Sequence, residues 1–258
     1  MKKIIFIPAL VIITNVLLIY SQPRLTLQIT GGYSMPMMEL KGDLPTDSAN
    51  FVVYDWDKQA FSNTYFMNSG FNIGLTGKIG FGKKANIRLT FGGAYKKFYN
   101  SQEITNSSSV IEIKPRINIV TLSLGGEYAF RTSSMFSPYL GLEFTGNFIG
   151  GEETRTVTPA SGSSFDSTWN LETSTRFGFG VGAGLDISFL RYFGINFGIK
   201  YSMMNVFGKD ANTSAAPWTS VEQPLNDKEY TYNNNNYSAK NIADLQFNLG
   251  VSFFFLHF

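Results

Sequence analysis

The chain has 258 residues, of which only 16% are charged and none is cysteine. Soluble domains carry about 25% charged residues, so this composition is unusual for one, and the lack of cysteine excludes disulfides and a lipid-modified cysteine. The formal net charge is +2 without any block of basic residues, which gives no reason to expect binding to nucleic acid.

The N-terminal segment has the pattern of a secretory signal peptide. Lys2 and Lys3 precede an apolar run at 4–20, and small and polar residues follow it. We predict a cleaved signal peptide at residues 1–21 and one mature domain at residues 22–258. An N-terminal anchor helix is the alternative, although the run is short and contains a proline and an asparagine.

Eight segments of the mature chain alternate apolar and polar residues with a period of two, which is typical of β-strands with two different faces. They are RLTLQIT (24–30), FNIGLTGKI (71–79), IRLTFGGAY (87–95), VTLSLGGEYAF (120–130), YLGLEFTGNF (139–148), RFGFGVGAGLDI (176–187), GINFGIKYSM (194–203) and LQFNLGVSF (245–253). Tilted strands that cross a membrane need about 9–11 residues, and strands of soluble proteins usually have about 5–6. The sequence therefore predicts an all-β fold, an eight-stranded antiparallel up-and-down transmembrane barrel.

The connections between these strands alternate in length. Three are short, and four are long and rich in Asn, Ser, Thr and Asp, at about 36–68, 100–116, 149–173 and 207–240. Short turns at one end and long polar loops at the other are typical of outer-membrane barrels. We expect the long loops to be extracellular and both termini to be periplasmic.

The two faces of the strands predict which side meets lipid. One face carries large apolar and aromatic residues, and the other carries Gly, Ser, Thr and Asn with few charges. A soluble lipocalin-like barrel would show a heavily charged exterior instead, so we expect the apolar face to contact lipid. An aromatic girdle at the strand ends is predicted from a set of seven residues: Tyr33, Tyr95, Tyr128, Phe130, Tyr139, Tyr192 and Tyr201.

Glycines occupy every second position from Gly178 to Gly184. A dinucleotide-binding loop needs a strand–turn–helix context, and no helical pattern follows here. An eight-stranded barrel is only wide enough for its own side chains. We therefore expect these glycines to line the lumen and to make room for side chains from the opposite wall, with a small water-filled passage as the alternative.

Seven ionisable residues lie on the inward phase of the strands and form a predicted lumen polar network: Lys78, Arg88, Glu127, Glu143, Asp186, Lys200 and Asp244. Unpaired buried charges are costly, so these groups should pair. We expect Lys78 and Arg88 to neutralise Glu127 and Glu143. The network is interpreted as a structural polar core, with a charge-lined narrow channel as the alternative.

The sequence offers little for catalysis or for a cofactor. His257 is the only histidine and lies near the C-terminus, which excludes a Ser–His–acid arrangement at the outer rim. Asp55 and Asp57 lack the spacing of a calcium-binding loop. We predict no enzymatic activity, no cofactor and no metal site.

Two segments, FSPYLGLEFTGNF (136–148) and FGVGAGLDISFLRYFGINFGIKY (179–201), resemble strands of the OmpA-type outer-membrane β-barrel family. The resemblance implies the outer membrane of a Gram-negative bacterium and a structural or surface-interaction role, with a narrow porin-like channel for small solutes as the alternative. It also implies three partners: outer-membrane lipid, a surface ligand of the long loops, and the barrel-assembly machinery.

The C-terminal strand carries one implication and one conflict. The resemblance implies that Phe258 is the assembly signal, and because the chain stops there, we expect the peptidoglycan-binding domain of longer relatives to be absent. Apolar residues from Leu245 to Phe253 occupy odd positions, whereas Phe254, Leu256 and Phe258 are even. A β-bulge within 252–255 is expected to reconcile the two phases.

Overall fold

The computed structural model describes residues 23–42, 64–82, 84–105, 109–130, 135–211, 222–232 and 235–257. Eight of the strands are long: β1 (Pro23–Met38), β2 (Ser69–Phe81), β3 (Ile87–Tyr99), β5 (Ser109–Ala129), β6 (Phe136–Pro159), β7 (Phe165–Ser188), β8 (Phe193–Phe207) and β12 (Ile242–His257). Four are short: β4 (Gln102–Thr105), β9 (Glu222–Gln223), β10 (Tyr230–Tyr232) and β11 (Asn235–Tyr237).

The eight long strands close into a ring. Each pairs antiparallel with its neighbours in the order β1-β2-β3-β5-β6-β7-β8-β12, and β12 returns to β1. Closure pairs the backbone groups of both edge strands, as a barrel in lipid requires. The predicted eight-stranded antiparallel barrel is confirmed.

The expected bulge in the last strand is absent from the described residues. β12 pairs with β1 in one register, from Pro23 opposite His257 to Met38 opposite Ile242. Phe253 and Phe255 are exposed, while Phe254 between them is only 5% exposed. Phe254 is on the inward phase of β12, and Gly194 of β8, without a side chain, leaves room for its ring.

The outer face of the ring is a continuous apolar surface. Large hydrophobic side chains at alternate positions of every long strand are exposed, with Leu142 at 61% as an example. Such a surface is unfavourable in water and is typical of a barrel that faces lipid. Within the described ranges, no helix is long and apolar enough to cross a membrane.

Strands β5, β6 and β7 continue well beyond this apolar band, which ends at Val120, Phe148 and Phe177. The strand extensions comprise 109–119, 149–159 and 165–176, each roughly 35–40 Å long at about 3.3 Å per residue. β4 adds to β5 at one edge, and β9 pairs with β7.

The strand extensions correct the predicted loops at 100–116 and 149–173, which are largely strand. Outside lipid a strand no longer needs an apolar outer face, and in β5 the alternation is reversed: Ile113, Ile117 and Ile119 are buried inside, and polar residues occupy the positions between them. The extensions are instead rich in Thr, Ile and Val, whose branched side chains suit strands.

Several predicted features lie outside the described residues. They are the signal peptide at 1–21, Asp55 and Asp57, and the C-terminal Phe258.

Candidate functional site

Four charged side chains meet in the lumen near the short-turn end, and we call them the ion cluster. Each lies on the inward phase of its strand and is buried: Lys78 (β2), Arg88 (β3), Glu127 (β5) and Asp186 (β7). Arg88 Nη1 lies 2.7 Å from Glu127 Oε1 and 2.7 Å from Asp186 Oδ2. Lys78 Nζ lies 2.9 Å from Glu127 Oε2 and 3.7 Å from Asp186 Oδ2. Two cations thus face two anions, and the cluster is neutral.

Glu143 lies outside the ion cluster, contrary to the expectation from the sequence. In the register of β5 and β6, Glu143 is opposite Gly125, one inward position above Glu127. At that height its Oε1 lies 2.9 Å from Lys200 Nζ. Asp186 is therefore the second carboxylate beside Arg88.

Asp244 has a partner that the sequence analysis missed. Its Oδ1 lies 3.1 Å from Lys96 Nζ, and both side chains are almost fully buried. Lys96 shares the inward phase of Arg88 on β3, but it lies one residue past the alternating segment 87–95. Extending that phase by one residue would have revealed it.

Two of the inward glycines of β7, Gly180 and Gly184, leave space for side chains of the neighbouring strand β6, and the atoms nearest to Gly178 and Gly182 belong to β8; none of these nearest atoms belongs to the opposite wall. A Cβ at Gly184 would lie 2.5 Å from Tyr139 Cζ, and a Cβ at Gly180 would lie 2.9 Å from Glu143 Oε1. The two β6 side chains therefore lean across β7. Any larger residue at these glycine positions would collide with them.

Tyr139 consequently lies in the lumen, and its assignment to the aromatic girdle was wrong. Its hydroxyl oxygen accepts a hydrogen bond of 3.0 Å from Asn196 Nδ2. Lys78 Nζ lies 4.4 Å from the centre of the Tyr139 ring. Odd positions of β6 face the lumen, as Glu143 does. Since Tyr139 also occupies an odd position, the alternation of the strand already indicated that it faces the lumen and not the lipid.

A polar cavity of about 110 Å³ lies between the ion cluster and the Lys96–Asp244 pair. Its lining includes Thr30, Thr76, Thr90, Glu143, Lys200 and Asn248. Hydroxyl, amide and charged groups of this kind hold water in a cavity of this size.

Above the Lys96–Asp244 pair the interior becomes hydrophobic, and we call this layer the apolar cap. It is one cluster of buried residues: Leu40, Tyr65, Phe66, Met67, Phe98, Ile113, Ile117, Ile119, Ile149, Leu171, Met204, Leu225 and Ile242. The strand extensions supply one side, and residues from the long connections supply the other. The cap was not predicted from the sequence, because the long connections were expected to be solvated loops.

Charged groups at the long-loop end hold the connections against the barrel. Asp227, with no exposed surface, forms an ion pair of 2.9 Å with Arg176 of β7. Lys240 Nζ lies 4.8 Å from the centre of the Tyr65 ring. Burial lowers the pKa of Lys240 to about 7, although the Asp227 carboxylate acts in the opposite direction. Arg176 lies in the segment 176–187 on the same inward phase as the glycines, so the strand pattern could have predicted that it faces the lumen. Nothing in the sequence pattern indicated that Asp227 would be its partner.

Within the described ranges, no three His, Cys, Asp or Glu side chains form a group suited to a metal ion. The lumen carboxylates of the ion cluster and its neighbours have cationic partners.

A model of the Opacity family porin proteins matches residues 79–221, which is more than half of the chain. The chain belongs to the Opacity porin family. The match spans β3 to β8 and therefore includes Arg88, Glu127 and Asp186 of the ion cluster as well as all three strand extensions. This Opacity-family protein is an outer-membrane β-barrel of a Gram-negative bacterium.

Solved structures provide further comparisons for the Opacity-family chain. Neisserial surface protein A has 14% identity and a TM-score of 0.44, over 90% of this chain and 97% of that one. The outer membrane protein OprG from Pseudomonas aeruginosa has 15% identity and a TM-score of 0.38, over 92% and 99%. Ail, the attachment invasion locus protein of Yersinia pestis, in complex with the heparin analogue sucrose octasulfate, has 11% identity and a TM-score of 0.36, over 90% and 99%. A search of the curated proteins found no match.

Proposed function

We propose that this Opacity-family barrel has a structural or surface-interaction role and that its lumen is closed. One observation carries the proposal: buried side chains of the described residues pack together inside the barrel at two separate heights, with the ion cluster below and the apolar cap above. A hydrated ion would have to cross both. The proposal includes no catalytic role. It also includes a relationship to OmpA-type barrels, which the chain resembles.

The strand extensions are the surface that we propose for contact. They rise beyond the apolar band as a paired sheet, so their backbone is ordered before any partner arrives. Their outward side chains include the pair Arg116–Glu152 at 3.1 Å and the pair Lys114–Glu112 at 2.7 Å, all about one-third or more exposed. Exposed ion pairs contribute little to stability, so these groups can exchange partners at low cost.

Adhesion by cells that display the protein tests the surface role. We expect a Gram-negative laboratory host displaying the protein to adhere to heparin-coated or poly-lysine-coated plates better than vector cells do. The double substitution Lys114→Glu and Arg116→Glu replaces two positive charges by negative ones. It should lower adhesion to heparin and raise adhesion to poly-lysine, in each case several-fold. Lys200→Gln, which alters a lumen charge, is the matched control and should leave it unchanged. The proposal would be contradicted if vector cells adhered as well as the displaying cells on both coatings. It would also be contradicted if the surface variant and the lumen variant changed adhesion equally.

A narrow channel is the second candidate, because the polar cavity of about 110 Å³ already occupies part of the lumen. Planar-bilayer recordings separate the two functions. A closed lumen predicts no steady openings from the wild type or from Lys200→Gln. Steady openings whose ion selectivity changes with Lys200→Gln would establish the channel instead.

Export and assembly complete the proposal. We propose that the signal peptide at 1–21 directs export and that the barrel-assembly machinery recognises β12, the strand that closes the ring on β1. The mature N-terminus is then Gln22, which N-terminal sequencing of the membrane protein checks. Removing Phe258 should lower the folded fraction in membranes without slowing refolding of the purified protein in detergent. An equal loss in both settings would indicate a stability role for Phe258.

A further inference from the structure

A short segment from the connection between β8 and β12 folds back into the mouth of the barrel. Leu225 has no exposed surface and belongs to the apolar cap. Asn226 adopts the left-handed backbone conformation, with φ of 44°, and turns the chain so that Asp227 also points inward. Asp227 has no exposed surface either. We call residues 225–227 the plug segment.

The barrel holds the Asp227 carboxylate in a manner that suits a bound ligand. Arg176 binds both oxygens in a fork, with Nε 2.9 Å from Oδ2 and Nη2 2.9 Å from Oδ1. Asn205 Nδ2 donates a third hydrogen bond of 2.8 Å to Oδ2, and the backbone N–H of Asp210 donates a fourth of 3.1 Å to Oδ1. A bidentate arginine is the usual device for specific recognition of a carboxylate.

The other contacts of the plug segment are just as directional. The Tyr65 hydroxyl donates a hydrogen bond of 3.0 Å to the Leu225 carbonyl oxygen. Arg176 and Asn205 lie on β7 and β8, and Asn205 Oδ1 also accepts a hydrogen bond of 2.7 Å from the Ile242 amide at the start of β12. Barrel strands therefore hold the Arg176 and Asn205 side chains that bind the carboxylate. The seat comprises Tyr65, Arg176, Asn205 and the apolar cap without Leu225.

We propose that the seat is a peptide-binding site of the pattern Leu-x-Asp, occupied in this structure by the chain's own plug segment. The partner is a peptide segment with an apolar side chain two residues before an aspartate. This inference rests on the proposed surface-interaction role and names the chemistry of one partner. A tethered segment has an effective concentration of about 1 mM or more, so the plug segment excludes competing peptides until it is displaced.

Binding of the plug's own sequence in trans tests the seat. The probe is the fluorescent peptide acetyl-Pro-Leu-Asn-Asp-Lys-amide, and the protein is the full barrel in nanodiscs with residues 224–228 replaced by Gly-Ser-Gly-Ser-Gly. We expect this variant to bind the probe at least about tenfold more tightly than the wild type does. A control peptide with Asn in place of Asp, and the further substitution Arg176→Ala, should each weaken binding at least about tenfold, since each removes the charge-assisted pair.

Absence of binding by the folded replacement variant, or equal binding of the two peptides, would overturn the inference. Hydrogen exchange provides a second measurement that does not need the replacement variant to fold. In the otherwise intact protein, Asp227→Asn should speed exchange of the amides in 225–228 at least about tenfold, and unchanged protection would overturn the inference. Adhesion through the strand extensions is measured on different variants, so a failure of the surface role and a failure of the seat are distinguishable.

Discussion

Replacing Arg88 by alanine should destabilise the barrel more than any other single change within the ion cluster. Arg88 contacts two carboxylates at 2.7 Å. Without Arg88, Lys78 is the remaining cation of the ion cluster, and it must compensate the charges of both carboxylates. Removing one partner of a buried ion pair costs about 3–5 kcal/mol. After this substitution Lys78 should compensate the charge of Asp186 less well than that of Glu127, because Lys78 Nζ lies 3.7 Å from Asp186 and 2.9 Å from Glu127.

Double-mutant cycles measured by urea unfolding in detergent, followed by tryptophan fluorescence, test this reasoning. Arg88→Ala combined with Asp186→Asn should recover part of the loss, with a coupling energy of about 1–3 kcal/mol. The matched cycle of Arg88→Ala with Glu143→Gln should be additive within about 0.5 kcal/mol, since Glu143 pairs with Lys200. Additivity in the Asp186 cycle, or strong coupling to Glu143, would refute the assignment of the cluster.

Three other predictions concern the lipid face, the glycine strand and the mouth. Leu142→Arg, in the middle of the apolar band, should lower the free energy of unfolding by about 2–4 kcal/mol, and a loss below 1 kcal/mol would argue against lipid contact there. Gly184→Ala should cost about 1–3 kcal/mol, because its Cβ would lie 2.5 Å from both the Phe197 carbonyl oxygen and Tyr139 Cζ, whereas Gly198→Ala, whose nearest atom is the Tyr139 hydroxyl oxygen at 3.1 Å, should cost less in the same assay. Lys240 has a pKa near 7 when folded, below its unfolded value of about 10.5, so the unfolded chain binds more protons between these pH values. The free energy of unfolding should therefore rise from pH 7 to 9.5 by up to about 1.4 kcal/mol per pH unit, and Lys240→Met should flatten that slope; equal slopes would contradict the burial of this lysine.

The sequence by itself determined the parts of this protein that repeat with the period of a strand. A side chain in lipid must be apolar and its neighbours in the lumen must be small or polar, so membrane strands carry their own orientation in every second residue. That rule placed all eight barrel strands and the inward phase of the seven ionisable residues. Phe254 and Tyr139 show where it was applied inconsistently, because each obeys the phase of its strand and each was assigned against it.

Only the tertiary structure decided which inward charges meet and what closes the lumen. The relative height of two lumen side chains depends on the register between neighbouring strands. Because Glu143 lies one inward position above Glu127, it pairs with Lys200, and Asp186 pairs with Arg88. Beyond the lipid the outer strand face can be polar, so in β5 the apolar residues change from even positions to Ile113, Ile117 and Ile119, and this reversed alternation was not predicted as strand. The partnership of Asp227 with Arg176 joins positions 51 residues apart through a connection without periodicity. Contacts of that kind depend on the path of the folded chain, which no local pattern encodes.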